Sequence, residues 1–143
     1  MRIRPVEIGV AALLFATQAA AAEVQISDAW MRALPAPSPS GGYFTLRNTG
    51  TSEITLTGAK SPACGMLMLH RSKEMGGMSS MEDVSSVPVP AGGEIRFSPG
   101  GYHLMCMDST SAIKPGGSVP VTLQFSDKTE ATANFAVKNA QGK

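Results

Sequence analysis

The chain has 143 residues, room for one ordinary domain rather than two. Twelve Lys and Arg against eleven Asp and Glu leave a formal net charge of +1. That balance excludes the basic field by which nucleic acid or an anionic membrane surface is bound, so recognition has to come from a local site.

In chain order, the first residues read as a targeting segment. Arg2 and Arg4 precede an apolar stretch and the small residues AAAAE, the pattern of a secretory signal peptide over 1–22 with cleavage after Ala22. The apolar run is about fifteen residues, short of the roughly 20 that span a membrane. The expectation is an exported mature chain, 23–143, forming a single domain without a membrane span. Removing 1–22 takes away Arg2, Arg4 and Glu7 and leaves ten charges of each sign.

Beyond that point apolar residues recur with period two. YFTLRN, EITLTG, MLMLH, EIRFS, YHLMCM, VPVTLQF and TANFAV read as short strands. NTGTSE, KSPACG, PAGGE, SPGG, IKPGG and SDKTE read as turns between them, and PAPSPSGG as a flexible surface connection. Short strands with regular turn signals predict an all-β antiparallel sandwich or small barrel. Trp30, Tyr43, Leu46, Leu56, Phe97, Leu123 and Phe135 are the expected core.

The methionines are unevenly placed. Of nine, seven fall between positions 66 and 107, and both histidines, His70 and His103, lie in the same window. Methionine fills core gaps well, but Met75, Met78 and Met81 sit in SKEMGGMSSMED, a polar stretch that reads as a loop. On a strand, His103, Met105 and Met107 point one way while Tyr102, Leu104 and Cys106 point the other. The turn SPGG before His103 places it near one end of the sandwich, with Met107 deeper as packing. Thioethers bind hard cations poorly and suit Cu(I), while imidazole suits copper in either oxidation state. Packing alone remains the alternative.

Cys64 and Cys106 form a disulfide candidate in an oxidising compartment, against free, partly buried thiols. Asp108 and Glu82 lie beside the candidate ligands, as tuning groups or as ordinary solvated carboxylates.

These residues resemble a known family. The spacing His70, ten residues, Met81, twenty-one residues, His103, one residue, Met105 is that of the periplasmic copper chaperones called PCuAC. The flanks ISDAWMRALPAPSPSGGYFTLRNTG, SPACGMLMLH, VPAGGEIRFSPGGYHLMCM and IKPGGSVPVTLQFSD are similar to that family as well. The resemblance implies a cupredoxin-like antiparallel β-sandwich, or Greek-key barrel, working in the periplasm as a monomer. It implies one copper ion, chiefly Cu(I) with Cu(II) second, held by His70, Met81, His103 and Met105. It also implies delivery to the dinuclear centre of cytochrome c oxidase, the partner being the oxidase's copper-bearing subunit or a thiol-bearing copper protein. The family usually lacks cysteine at positions 64 and 106. The chain ends FAVKNAQGK, without the histidine-rich tail of some members. Met68, Met75 and Met78 are additional to the family's set, as capture groups or as filler.

Three other functions compete with the carrier. Copper storage or tolerance uses the same ligands. Blue-copper electron transfer needs a Cys thiolate with two histidines and a weak axial methionine, and strand parity turns Cys106 away from His103. Thiol–disulfide exchange favours closely spaced cysteines, and these are 42 positions apart. With both histidines in the motif, no hydrolytic triad or carboxylate pair remains, so the chain is not expected to be an enzyme.

Overall fold

The computed structural model describes residues 9, 12–14, 20–35 and 37–143. The signal-peptide reading of 1–22 falls largely outside those residues. Ten strands follow in chain order: β1 Val24–Arg32, β2 Ser40–Asn48, β3 Ile54–Lys60, β4 Cys64–Met75, β5 Met78–Asp83, β6 Val87–Val89, β7 Glu94–Phe97, β8 Tyr102–Ser109, β9 Ser118–Phe125 and β10 Glu130–Lys138. Among the described residues there is no helix, and the all-β expectation holds.

The strands hydrogen-bond in the order β5-β4-β8-β2-β1-β10-β9-β3-β6, with β7 also pairing β2. Every pairing of named strands is antiparallel except β1 with β10. β3 returns against β4, so the sheet wraps around one apolar interior. Phe44 sits at its centre, its ring centroid 4.4 Å from Phe97 and 5.8 Å from Phe135. Leu46, Leu56, Leu104, Leu123 and Val121 are fully enclosed around it. Each comes from the inward set of an alternating strand, which is how period two becomes a core.

The sequence expectations are corrected at several points. The stretch 72–83 is a hairpin, not a loop: β4 runs on to Met75 and returns as β5 through Gly76 and Gly77, both at positive φ (59° and 83°). A two-residue turn with positive φ at both positions matches the strand twist, and glycine adopts it without steric cost. PAPSPSGG ends inside β2, with Ser40 and Gly42 buried. Cys64 and Gly65 of the expected turn KSPACG begin β4. Trp30 is half-buried on the outer face of β1, its ring tilted at 39° to that of Tyr43 with centroids 4.7 Å apart.

Cys64 and Cys106 are joined as a disulfide with Cα atoms 5.4 Å apart, within the usual range for such a bond. The bridge ties β4 to β8 across their interior side. Neither cysteine is left as a thiolate donor, which removes both the blue-copper reading and thiol exchange through a free pair.

Candidate metal centre

β4 lies between β5 and β8, and the register brings the chemistry together. His70 is the cross-strand partner of His103 on one side and of Asp83 on the other. Met68 faces Met105, and Met66 faces Met107. Met81 lies opposite Ser72, which shares His70's face by alternation. Cross-strand partners point to the same side of a sheet, so both histidines and these methionines share one face. Leu67, Leu69, Leu104 and Cys106 occupy the other and pack into the core.

The two imidazoles meet edge to face, with ring centroids 5.7 Å apart and planes at 73°. His103 is only 4% exposed. Its Nδ1 lies 3.3 Å from the Gly101 carbonyl. A carbonyl only accepts, so Nδ1 carries the proton and Nε2 keeps its lone pair. That Nε2 is buried without a hydrogen-bond partner, a state that costs about 1–3 kcal/mol unless something binds there. Burial pushes the His103 pKa below that of an ordinary histidine, the Gly101 hydrogen bond opposes the shift, and neighbouring His70 adds to it. The shift favours the neutral ring, the form that binds a metal.

His70 Nε2 stands 2.8 Å from Asp83 Oδ1. The carboxylate lies off the axis of the ring nitrogen, so neither nitrogen of His70 has a hydrogen-bond partner. Asp83 is a group that reading the sequence missed. The signal was the two-residue spacing from Met81, which matters only once 78–83 is known to be a strand. Glu82 points the opposite way, where it pairs with Arg71 and, at 3.8 Å, with Lys73. It is not beside the histidines.

His103, Met105 and Met81 line a cleft of about 250 Å³ that is walled on its far side by Arg32, Tyr43 and Gly41. Gly41 makes room for the Tyr43 ring: a Cβ there would come within 2.7 Å of the phenol oxygen. Arg32 stacks on Trp30 and Tyr43, 5.3 and 5.6 Å from their centroids. Met105 is nearly buried, whereas Met81, on the projecting hairpin, is 61% exposed. Met107 shares this face but is 38% exposed, so it is not packing beneath the site. Met78 is more exposed still. The Met75 side chain lies outside the described residues.

The donor set is two imidazoles and several thioethers with one nearby carboxylate. Among the described residues, no three His, Cys, Asp or Glu side chains cluster as a metal site. Two imidazoles with unclaimed nitrogens set among soft thioethers suit a soft monovalent ion better than a hard divalent one.

Residues 24–137 match the family described as "Putative lipoprotein LpqE-like". The chain belongs to the LpqE-like family. A family relative, protein Lxx21020 of Leifsonia xyli subsp. xyli, also named as a lipoprotein, is 32% identical over 120 residues, 83% of this chain and 72% of its own length. The uncharacterised protein RP573 of Rickettsia prowazekii is 31% identical over 104 residues, 71% of this chain and 57% of its own length. Among solved structures, the copper-bound PCuAC domain from PmoF2 is similar with a TM-score of 0.66 at 22% identity, over 84% of this LpqE-like chain and 96% of that one. The Cu(I) form of DR1885 from Deinococcus radiodurans gives 0.62 at 28% identity, over 82% and 78%. The resemblance to PCuAC domains read from the sequence is thus upheld, as is their cupredoxin-like sandwich.

Proposed function

We propose that this chain is an exported copper carrier in which His70, Met81, His103 and Met105 hold one Cu(I) ion. The observation that carries the reading is the lone Nε2 of His103, buried without a partner and set beside Met105 at the cleft. Copper here is cargo. A carrier needs donors strong enough to hold the ion and open enough for a partner to take it. His103 and Met105 supply a buried half, while Met81 supplies an exposed half on a hairpin that can move away.

The charge environment favours the lower oxidation state. The thioether donors carry no charge, and the Arg32 guanidinium at the cleft wall works against a second positive charge, which Asp83 beside His70 partly offsets. Soft thioethers add a further preference for Cu(I). Similarity to the Cu(I) form of DR1885 supports this choice of ion.

Export is supported by the Arg-then-apolar pattern of 1–22, by the disulfide, and by the lipoprotein naming of the family and of Lxx21020. We assign the chain to the periplasm as a monomeric single domain over 23–143. Its recipient is the dinuclear copper centre of cytochrome c oxidase, reached directly or through a thiol-bearing copper protein. Thiolates bind Cu(I) more strongly than thioethers, so transfer to such a recipient runs downhill. Titration of the mature protein with Cu(I) against a chromophoric chelator tests the carrier. One tight equivalent, lost in His103→Ala and Met105→Ala, is expected; unchanged affinity in both variants would refute the ligand set.

A further inference from the structure

The methionines extend beyond the proposed site in an orderly way. Along β4 and β8 the cross-strand partners are His70 with His103, then Met68 with Met105, then Met66 with Met107. All three rungs lie on one face, and the last is open to solvent: Met66 is 55% exposed, and Met107 is exposed beside it. Among the described residues after position 22, every exposed large hydrophobic side chain is a methionine. Side chains this open to water gain less from burial than core methionines do, so packing explains them less well.

We propose that Met66, Met68 and Met107 form a second soft-metal station, a thioether site for Cu(I) or another monovalent d¹⁰ ion. Facing Cβ atoms on such a pair lie about 5 Å apart, and methionine's three rotatable bonds let the sulfurs converge on one ion. Met68 is the link, since it is Met105's cross-strand partner and lies two residues from Met66 on the same face. With no imidazole in its shell, the station binds more weakly than the histidine site. An ion captured at the open end therefore moves downhill along the ladder toward His70 and His103. The station uses side chains outside the four proposed ligands, while its rank as the weaker, second site rests on the histidine-site reading.

Titration of the mature protein with Ag(I), followed by methionine-methyl NMR, tests the station. The Met105 and Met81 methyls should shift with the first equivalent, and those of Met66, Met68 and Met107 with a second. The double variant Met66→Leu/Met107→Leu keeps the apolar volume and should stop at one equivalent with the Met105 shift unchanged. Wild-type protein that saturates with the Met66 and Met107 methyls unmoved would overturn the proposal, as would a double variant that still binds two. Failure of the histidine site reads out elsewhere, as a Met105 methyl that does not respond.

Discussion

His70 on β4 and His103 on β8 face each other as cross-strand partners, their rings 5.7 Å apart and nearly perpendicular. The pair unites two segments separated by more than thirty positions of chain. Each ring still has a nitrogen unclaimed by any hydrogen bond, and the pair's position beside Met105 and the β4–β5 hairpin leads to the following expectations.

The four proposed ligands should not be equivalent. His103 and Met105 are rigid and nearly buried, so His103→Ala or Met105→Ala should weaken Cu(I) binding beyond the roughly 10–100-fold typical of outer-shell losses. Met81→Ala should cost less, because Met81 is the exposed ligand on the projecting hairpin, and Met78, which alternation places on the opposite face of β5, should not substitute for it. Competition titrations of the three variants, with Met78→Ala/Met81→Ala as the fourth, would show the order.

Asp83 should act through His70. Its carboxylate lies 2.8 Å from Nε2 and contributes a negative charge beside the bound cation. Asp83→Asn keeps the shape and removes the charge, and should weaken Cu(I) binding by about tenfold, the lower end of outer-shell effects. Glu82→Gln, on the opposite face with Arg71, should leave affinity unchanged. The pair of titrations separates a local effect from general surface charge.

Copper-free protein should be destabilised by acid through His103. Its pKa is depressed in the folded state, chiefly by burial, so the unfolded chain binds the proton more readily. Stability is then full above the ordinary histidine value of about 6.5, falls as pH drops through it, and levels off below the folded pKa. Thermal melts from pH 8 to pH 5 should show a falling Tm, and His103→Asn should flatten that slope.

Reducing Cys64–Cys106 should both destabilise the fold and loosen the site. The bond closes a 42-residue separation, which in the chain-entropy treatment corresponds to about 4 kcal/mol. All four proposed ligands lie within that loop. Urea unfolding of Cys64→Ser/Cys106→Ser should show a loss of that order, together with weaker Cu(I) binding. An intact affinity would mean that β4 and β8 hold their register without the bridge.

Strand parity made much of this arrangement legible in advance. Alternation alone sends Leu104 and Cys106 inward and His103 and Met105 outward, because side-chain direction on a strand depends only on position. The 72–83 hairpin was hidden because it projects from the core: residues such as Lys73, Ser80 and Glu82 are polar, so no apolar period marks its strands. β1 was obscured by the irregularity between Ser27 and Trp30, with Asp28 at a φ of 52°, which breaks the alternation a strand would display. Trp30 looked like core because its bulk is apolar, but its place on the outer face with Arg32 and Tyr43 follows from long-range register. Asp83 and the Cys64–Cys106 bond depend on the pairing of β4 with its two neighbours, which no single segment encodes.

X-ray absorption at the copper edge of the Cu(I)-loaded mature protein tests the ligand set most directly. Two imidazole nitrogens with two thioether sulfurs, and one sulfur fewer in Met105→Ala, is the expected shell. A shell of nitrogen and oxygen without sulfur, or one unchanged in Met105→Ala, would contradict it.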